Sequence, residues 1–462
     1  MANILFPAIL TCCLSALPAQ DGQSSFGLAR TRELAELGVL PRALEVAVAD
    51  LVNYHRHRLP LPTSDRGVQL DLRAGNNQVT VGGNVILQFG YTTAPNDDRA
   101  DLPPLNLSLV IDCSGSMADS GKLTAVQKAL VAFSARLRSH DRVALVTYHH
   151  DAHLVQPSRE VGDGEWLRTA IGALVADGYT NLHGGLMLGL REVTANCRPD
   201  SSNRVLLLTD GIANRGETNP ERILADAMAF LGEDVDLSTI GVGQSLDVAL
   251  LDRLARGGRG LFHFVADAQD VEKVFVREHE ALVAPVARQV ELAFTLPPEL
   301  EFVRAFGHPV VEREGEQVVA LANLNRGVTG VVLVHCRVRG DLREPPAELR
   351  VAATLRFRTA EGRASSTAAI ACTIADGEAP LLRDPEVRKN FTIARLADGM
   401  HQMAQECEAR RWAAADRHLQ SALAFAREHF RSDDDADVAR VRAMAEAHGR
   451  VLRRYLDRFA DF

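Results

Sequence analysis

Residues 105–117 read LeuAsnLeuSerLeuValIleAspCysSerGlySerMet. Up to Ile111 the run is uncharged and mostly aliphatic, and at Asp112 it gives way to a short polar loop. A near-continuous apolar run of this length is a strand buried on both faces, as in a parallel sheet covered by helices. The same rhythm returns in ArgValAlaLeuValThrTyr at 142–148, ArgValLeuLeuLeuThr at 204–209, LeuSerThrIleGlyVal at 237–242 and GlyLeuPheHisPheVal at 260–265, with amphipathic helical stretches between them. This pattern predicts one doubly wound, mostly parallel α/β domain over residues 105–284. Ligands of open α/β sheets bind in the crevice at the carboxyl ends of the strands, and the loop Asp112 to Met117 stands at such an end.

The chemistry of that loop is hard oxygen. Ser114 and Ser116 bring two neutral hydroxyls and Asp112 a carboxylate. Two later segments end in the same kind of donor: AspGlyTyrThrAsnLeuHisGlyGlyLeu (177–186) carries Thr180, and LeuLeuLeuThrAspGly (206–211) carries Asp210. Oxygen donors at this density suit Mg²⁺, Mn²⁺ or Ca²⁺ rather than zinc or copper.

AspXSerGlySer after the first strand, a ThrAsn loop before a GlyGlyLeu helix, and ThrAspGly closing the fourth strand together resemble the von Willebrand factor type A (VWA) domain with its metal-ion-dependent adhesion site. The resemblance covers residues 105–284 and includes all five ligand positions in order. It implies that Ser114, Ser116 and Thr180 bind the metal directly, that Asp112 and Asp210 hold it mainly through waters, and that Mg²⁺ is the ion, with Mn²⁺ or Ca²⁺ as substitutes. It also implies a partner protein whose Glu or Asp completes the metal shell. AspLeuValAsnTyrHisArgHisArgLeuProLeuPro (50–62) and LeuThrAspGlyIleAlaAsnArgGlyGluThrAsnProGluArgIle (208–223) are similar to a bacterial subgroup of VWA proteins with an N-terminal segment and β-rich extensions. That subgroup favours aromatic residues where this chain has His55 and His57.

Outward from the α/β unit, residues 67–93 alternate as antiparallel strands do, without enough partners of their own. Strand-like alternation resumes at GlnValGluLeuAlaPheThrLeu (289–296) and runs to about residue 378. Strands on both sides of an α/β unit predict a β-sandwich made from 21–104 and 285–378, with the VWA domain inserted into it, because pairing buries otherwise open edges. Residues 29–55 show helical spacing at Leu34, Leu37, Leu40, Leu44, Val48 and Leu51, divided by Gly38 and Pro41. Residues 379–462 are rich in Ala, Arg and Glu. Asp384 and Pro385 form an N-cap and first-turn pair, and the spacing predicts a helical hairpin followed by a third helix.

Composition limits the function classes. Of 462 residues, 46% are hydrophobic and 24% charged, which is globular. A net charge of −9 with no basic stripe argues against nucleic acid and anionic membranes as partners. Seven cysteines without a CxxC pair make neither a disulfide scaffold nor a zinc knuckle. Cys336 and Cys372 both fall in strands, as two buried thiols or as a pair. The uncharged run Ile4 to Ala19 suits a secretory signal, with cleavage after Ala16 or Ala19. It predicts export to the periplasm or cell envelope, with no membrane span in the exported chain. A buried N-terminal element is the alternative.

His149, Asp151 and His153 lie in a TyrHisHisAspAlaHis stretch that reads as a polar hairpin turn, with a transition-metal site as the alternative. Cys113 reads as a packed thiol, and His183 as a local hydrogen-bonding group. The chain holds no GxSxG elbow, HExxH helix or Cys/His nucleophile pair. The reading is therefore a non-enzymatic adhesion or scaffold protein. The alternatives are a cytoplasmic VWA adaptor working with an AAA+ ATPase and, further off, a hydrolase using Asp112 as phosphoryl acceptor.

Overall fold

The computed structural model describes residues 26–63, 67–95, 103–198, 201–231, 235–243, 245–265, 274–275, 285–359, 361–375, 377–430 and 435–459. The apolar leader at 1–20, with Cys12 and Cys13, lies outside the described residues, as do residue 284 and the acidic stretch 431–434.

The α/β unit is a six-stranded sheet: β4 (Leu105–Asp112), β5 (Arg142–Tyr148), β6 (Ala152–Glu160), β7 (Ser202–Thr209), β8 (Val235–Val242) and β9 (Arg259–Val265), in the order β6-β5-β4-β7-β8-β9. All pairs are parallel except β5 with β6, a hairpin closed by the turn at 149–151. Five of the six strands are buried along nearly their whole length. Edge strand β6 is half-exposed, which explains why its sequence carries no apolar run. Leu105, Leu107, Leu109 and Ile111 of β4 face one core with α3 (Lys122–Ser134) and α4 (Glu165–Gly172). Val110 faces the other with α5 (Leu182–Ala195), α6 (Pro220–Phe230) and α7 (Val248–Gly257). The chain reverses its direction across the sheet between β4 and β7, so the crevice at their carboxyl ends is the switch point at which such sheets bind ligands.

The β-rich segments form two further sheets. A four-stranded sheet runs β1 (Val68–Ala74), β3 (Asn84–Thr93), β15 (Thr329–Val338), β11 (Leu300–Ala305), and the nine-residue antiparallel register from Thr329↔Thr92 to Arg337↔Asn84 joins strands from either side of the α/β unit. A seven-stranded sheet is built on β10 (Pro285–Thr295), β16 (Glu348–Thr359) and β17 (Gly362–Ile374), with β12 (Val311–Arg313), β13 (Glu316–Ala320), β2 (Gln78–Val79) and β14 (Leu324–Asn325) at its margins. Facing residues of the two sheets share one core, in which Phe89 stacks on Phe294 at 4.7 Å between ring centroids. Cys336 and Cys372 are both free thiols buried in it, and burial pushes them up to about 12 and about 11.

The opposite face of the four-stranded sheet is covered by helices. α8 (Pro385–Glu408), capped by Asp384, packs on α9 (Trp412–His429) and α10 (Ala436–Phe459), and Ile86, Val331 and Leu333 join their core. The N-terminal helices are α1 (Phe26–Leu37) and α2 (Val48–Asn53), separated by a 3₁₀ turn at Ala43–Glu45. Here the helical spacing is misleading in part: Leu37 and Leu44 are 52% and 65% exposed, because the chain leaves the helix before Gly38. Among the described residues no helix is long and apolar enough to cross a membrane.

Candidate metal centre

Asp112 ends β4 with a side chain closed to solvent. Its Oδ1 accepts from the Ser114 backbone N–H and its Oδ2 from the Thr209 hydroxyl, each at 2.8 Å. Burial pushes this carboxyl up to about 6, the Ser114 and Thr209 hydrogen bonds pull it back, and the nearby Asp210 charge adds to the rise.

From Ser114 the chain turns into a short 3₁₀ segment, which swings Ser116 to the mouth of the crevice. The Ser114 and Ser116 hydroxyls stand 3.2 Å apart, and Ser116 Oγ donates to Asp210 Oδ1 at 2.7 Å. Thr180 arrives on the loop before α5. Its N–H donates to Asn214 Oδ1 at 2.7 Å, while the Asn214 N–H donates to the Thr180 carbonyl at 3.1 Å. The loops are also tied by Gly115 N–H to the Gly178 carbonyl and Asp177 N–H to the Cys113 carbonyl. A Cβ built at Gly211 would lie 3.7 Å from Thr180 Oγ1 and 4.0 Å from Ser116 Oγ, so both hydroxyls border one small space. Asp112, Ser114, Ser116, Thr180 and Asp210 are thus brought together, and three hydroxyls with two carboxylates make a donor set that fits a hard divalent cation.

Three side chains besides the five donors complete the crevice. Thr209 and Asn214 orient Asp112 and Thr180, and Lys122 Nζ donates to Asp210 Oδ2 at 2.7 Å. The other clusters stay outside it. His149 and His153 rings lie 4.9 Å apart on the β5–β6 hairpin, His183 pairs with Asp226 on α6, and Cys113 is a buried thiol pushed up to about 12. Among the described residues no group of three or more His, Cys, Asp or Glu side chains is placed to hold a metal, so the transition-metal alternative at 149–153 is not supported.

Residues 106–277 match the family model for the von Willebrand factor type A domain. The chain contains a VWA domain. Domains of this type bind a divalent metal at the corresponding site and take protein partners through it. The uncharacterized protein YfbK of Escherichia coli (strain K12) is 30% identical over 300 residues, 61% of this chain and 51% of YfbK. That alignment is longer than the VWA match, so the likeness runs outside the domain. Human inter-alpha-trypsin inhibitor heavy chain H3 is 28% identical over 226 residues, 46% of this chain and 25% of that protein. The chain therefore spans about half the length of one curated relative and about a quarter of the other. Among solved structures, a von Willebrand factor type A protein from Catenulispora acidiphila superposes with a TM-score of 0.59 over 80% of this chain and 89% of that one, at 17% identity. The shared fold therefore reaches past the VWA domain.

Proposed function

We propose that this protein binds protein partners through a divalent cation, Mg²⁺ foremost, held by the hydroxyls of Ser114, Ser116 and Thr180 with Asp112 and Asp210 behind them. The observation that carries this reading is the convergence of all five oxygen donors at the β4/β7 switch point, with Ser116 at the open side. A bound cation supplies a Lewis-acidic position that a partner's Glu or Asp carboxylate can fill. Asp112 and Asp210 hold charge at the base, and Asn214 fixes Thr180 at the rim. Tyr179 and Ile212, on the same loops and 54% and 56% exposed, offer apolar contact around that carboxylate.

Asp112 is closed to solvent and both its oxygens already accept hydrogen bonds, which argues against its use as a phosphoryl acceptor. Export to the periplasm or cell envelope is proposed on the leader alone. A cytoplasmic adaptor for an AAA+ ATPase would use the same crevice, and intact mass of the native protein separates the two, since processing after Ala16 or Ala19 favours export.

The site is tested by calorimetry with Mg²⁺ and Mn²⁺. The wild type is expected to bind one ion and Asp112→Ala none, and unchanged affinity in the variant overturns the assignment. Capture of a partner should fall equally with EDTA and with Thr180→Ala, while capture that ignores EDTA rejects the metal-dependent reading.

A further inference from the structure

Lys122 is the first residue of α3, and nothing about the helix explains a cation there. The amino end of a helix carries partial positive charge, which makes it the unfavourable end for an ammonium. The side chain nevertheless folds back over the metal loop rather than into solvent. Gly121, at φ +70°, turns the chain into the helix. The ammonium reaches Asp210 Oδ2 at 2.7 Å and the Ser116 carbonyl at 3.4 Å. Its stem lies over Gly243 at the end of β8, where a Cβ would come within 3.5 Å of Lys122 Cε. The pair is drawn well out of water, with the Lys122 side chain 21% and the Asp210 side chain 0% exposed. It is thus not one of the freely solvated ion pairs that contribute little.

We propose that Lys122 is a built-in counter-cation of the metal centre, which stabilises the metal-free crevice, opposes cation binding, and leaves the loaded site with a surplus positive charge for one partner carboxylate. The inference rests on the metal-site reading above. Asp112 and Asp210 together carry −2, and Lys122 reduces this to −1 in the metal-free protein. With a divalent cation present the same groups sum to +1, which one Glu or Asp brings to zero. Without Lys122 the loaded site would already be neutral and would have less to gain from an anion. Asp210 Oδ2 is occupied by the ammonium, so Lys122 must also give up or share that contact when a cation draws on Asp210. Both effects act in one direction. The residue makes metal binding weaker by itself and more dependent on an acidic partner.

The test is titration calorimetry with Mn²⁺ on the wild type, Lys122→Met, Lys122→Arg and Asp112→Ala, with melting of each in EDTA and in excess Mn²⁺. Lys122→Met keeps the stem and removes the charge. It is expected to bind Mn²⁺ about tenfold more tightly, to melt lower than wild type in EDTA, and to recover that difference with Mn²⁺. Lys122→Arg, which keeps the charge, should stay nearer the wild type in affinity. Equal or weaker Mn²⁺ binding in Lys122→Met overturns the inference. If the wild type binds Mn²⁺, Asp112→Ala does not, and Lys122→Met matches the wild type, the counter-cation role alone fails. If neither the wild type nor Lys122→Met binds Mn²⁺, the metal site fails and the inference with it.

Discussion

Thr209 precedes the ThrAspGly aspartate and donates its hydroxyl to the buried Oδ2 of Asp112, 97 residues away in sequence. The isosteric change Thr209→Val removes that donor and leaves a carboxylate oxygen unpaired where water does not reach. Loss of such a bond costs about 1–3 kcal/mol. Urea unfolding of Thr209→Val in EDTA is expected to show a loss of that size, and an unchanged midpoint would mean that Asp112 finds another donor. The five oxygen donors were legible because each belongs to a short motif, four of them at the ends of β4 and β7 and Thr180 on the loop before α5. Thr209, Asn214 and Lys122 were not, since their roles depend on contacts across 97, 34 and 88 residues that no local spacing encodes.

Among the elements, α5 governs how closely the Thr180 loop approaches β4. Asn181 caps it by accepting from the Gly184 N–H, and Gly185 and Gly189 one turn apart face the sheet. A Cβ at Gly189 would stand 2.2 Å from Val110 Cγ2, and Val is stiff about its only side-chain torsion. Alanine gains about 1 kcal/mol of helix propensity over glycine, while overpacking a closed core costs about 1–3 kcal/mol. At 2.2 Å the clash wins, so Gly189→Ala is expected to lower the melting temperature. Gly172→Ala in α4 meets nothing within 4 Å and is expected to leave the melting temperature unchanged or raised. Equal melting of the two variants would contradict the close-approach argument. The elements most legible in sequence were the strands buried on both faces, where apolar runs leave no competing period. The two-residue β2 and β14 and the exposed β12 have too few residues to show any. The turn that exposes Leu37 and Leu44 is likewise hidden behind helical spacing.

The whole molecule is joined at the AsnTyrHisArgHis segment that starts at the last residue of α2. Asn53 donates to the Val331 carbonyl and accepts from its N–H, fastening this segment to β15, and Tyr54 donates to Asp437 on α10. His55 and His57 follow, rings 4.5 Å apart, both almost closed to solvent. The segment's resemblance to a VWA subgroup pointed to this region, but the junction itself depends on residues hundreds of positions later. Burial brings His55 down to about 4, with Asp437, Glu386 and Asp435 pulling it up and Lys389 pushing it down. Burial holds His57 well below the ordinary imidazole range, and the His55 and Lys389 charges add to that. Above pH 6.5 the folded and unfolded chains both keep His55 neutral, and its contribution does not vary with pH. As pH falls from 6.5 to 4, the unfolded chain takes up a proton that the folded chain refuses, so stability declines. For His55 the fall from 6.5 to about 4 amounts to about 3 kcal/mol, complete below pH 4. His55→Phe keeps an aromatic ring and removes the titrating group. Urea midpoints across pH 7 to 4 are therefore expected to decline less steeply in His55→Phe than in the wild type. A residual slope should remain from His57 and from His308 and His448, which burial also brings to about 4. Identical slopes in the two proteins would show that His55 accepts its proton without opening the junction, through the carboxylates of Asp437 and Glu386.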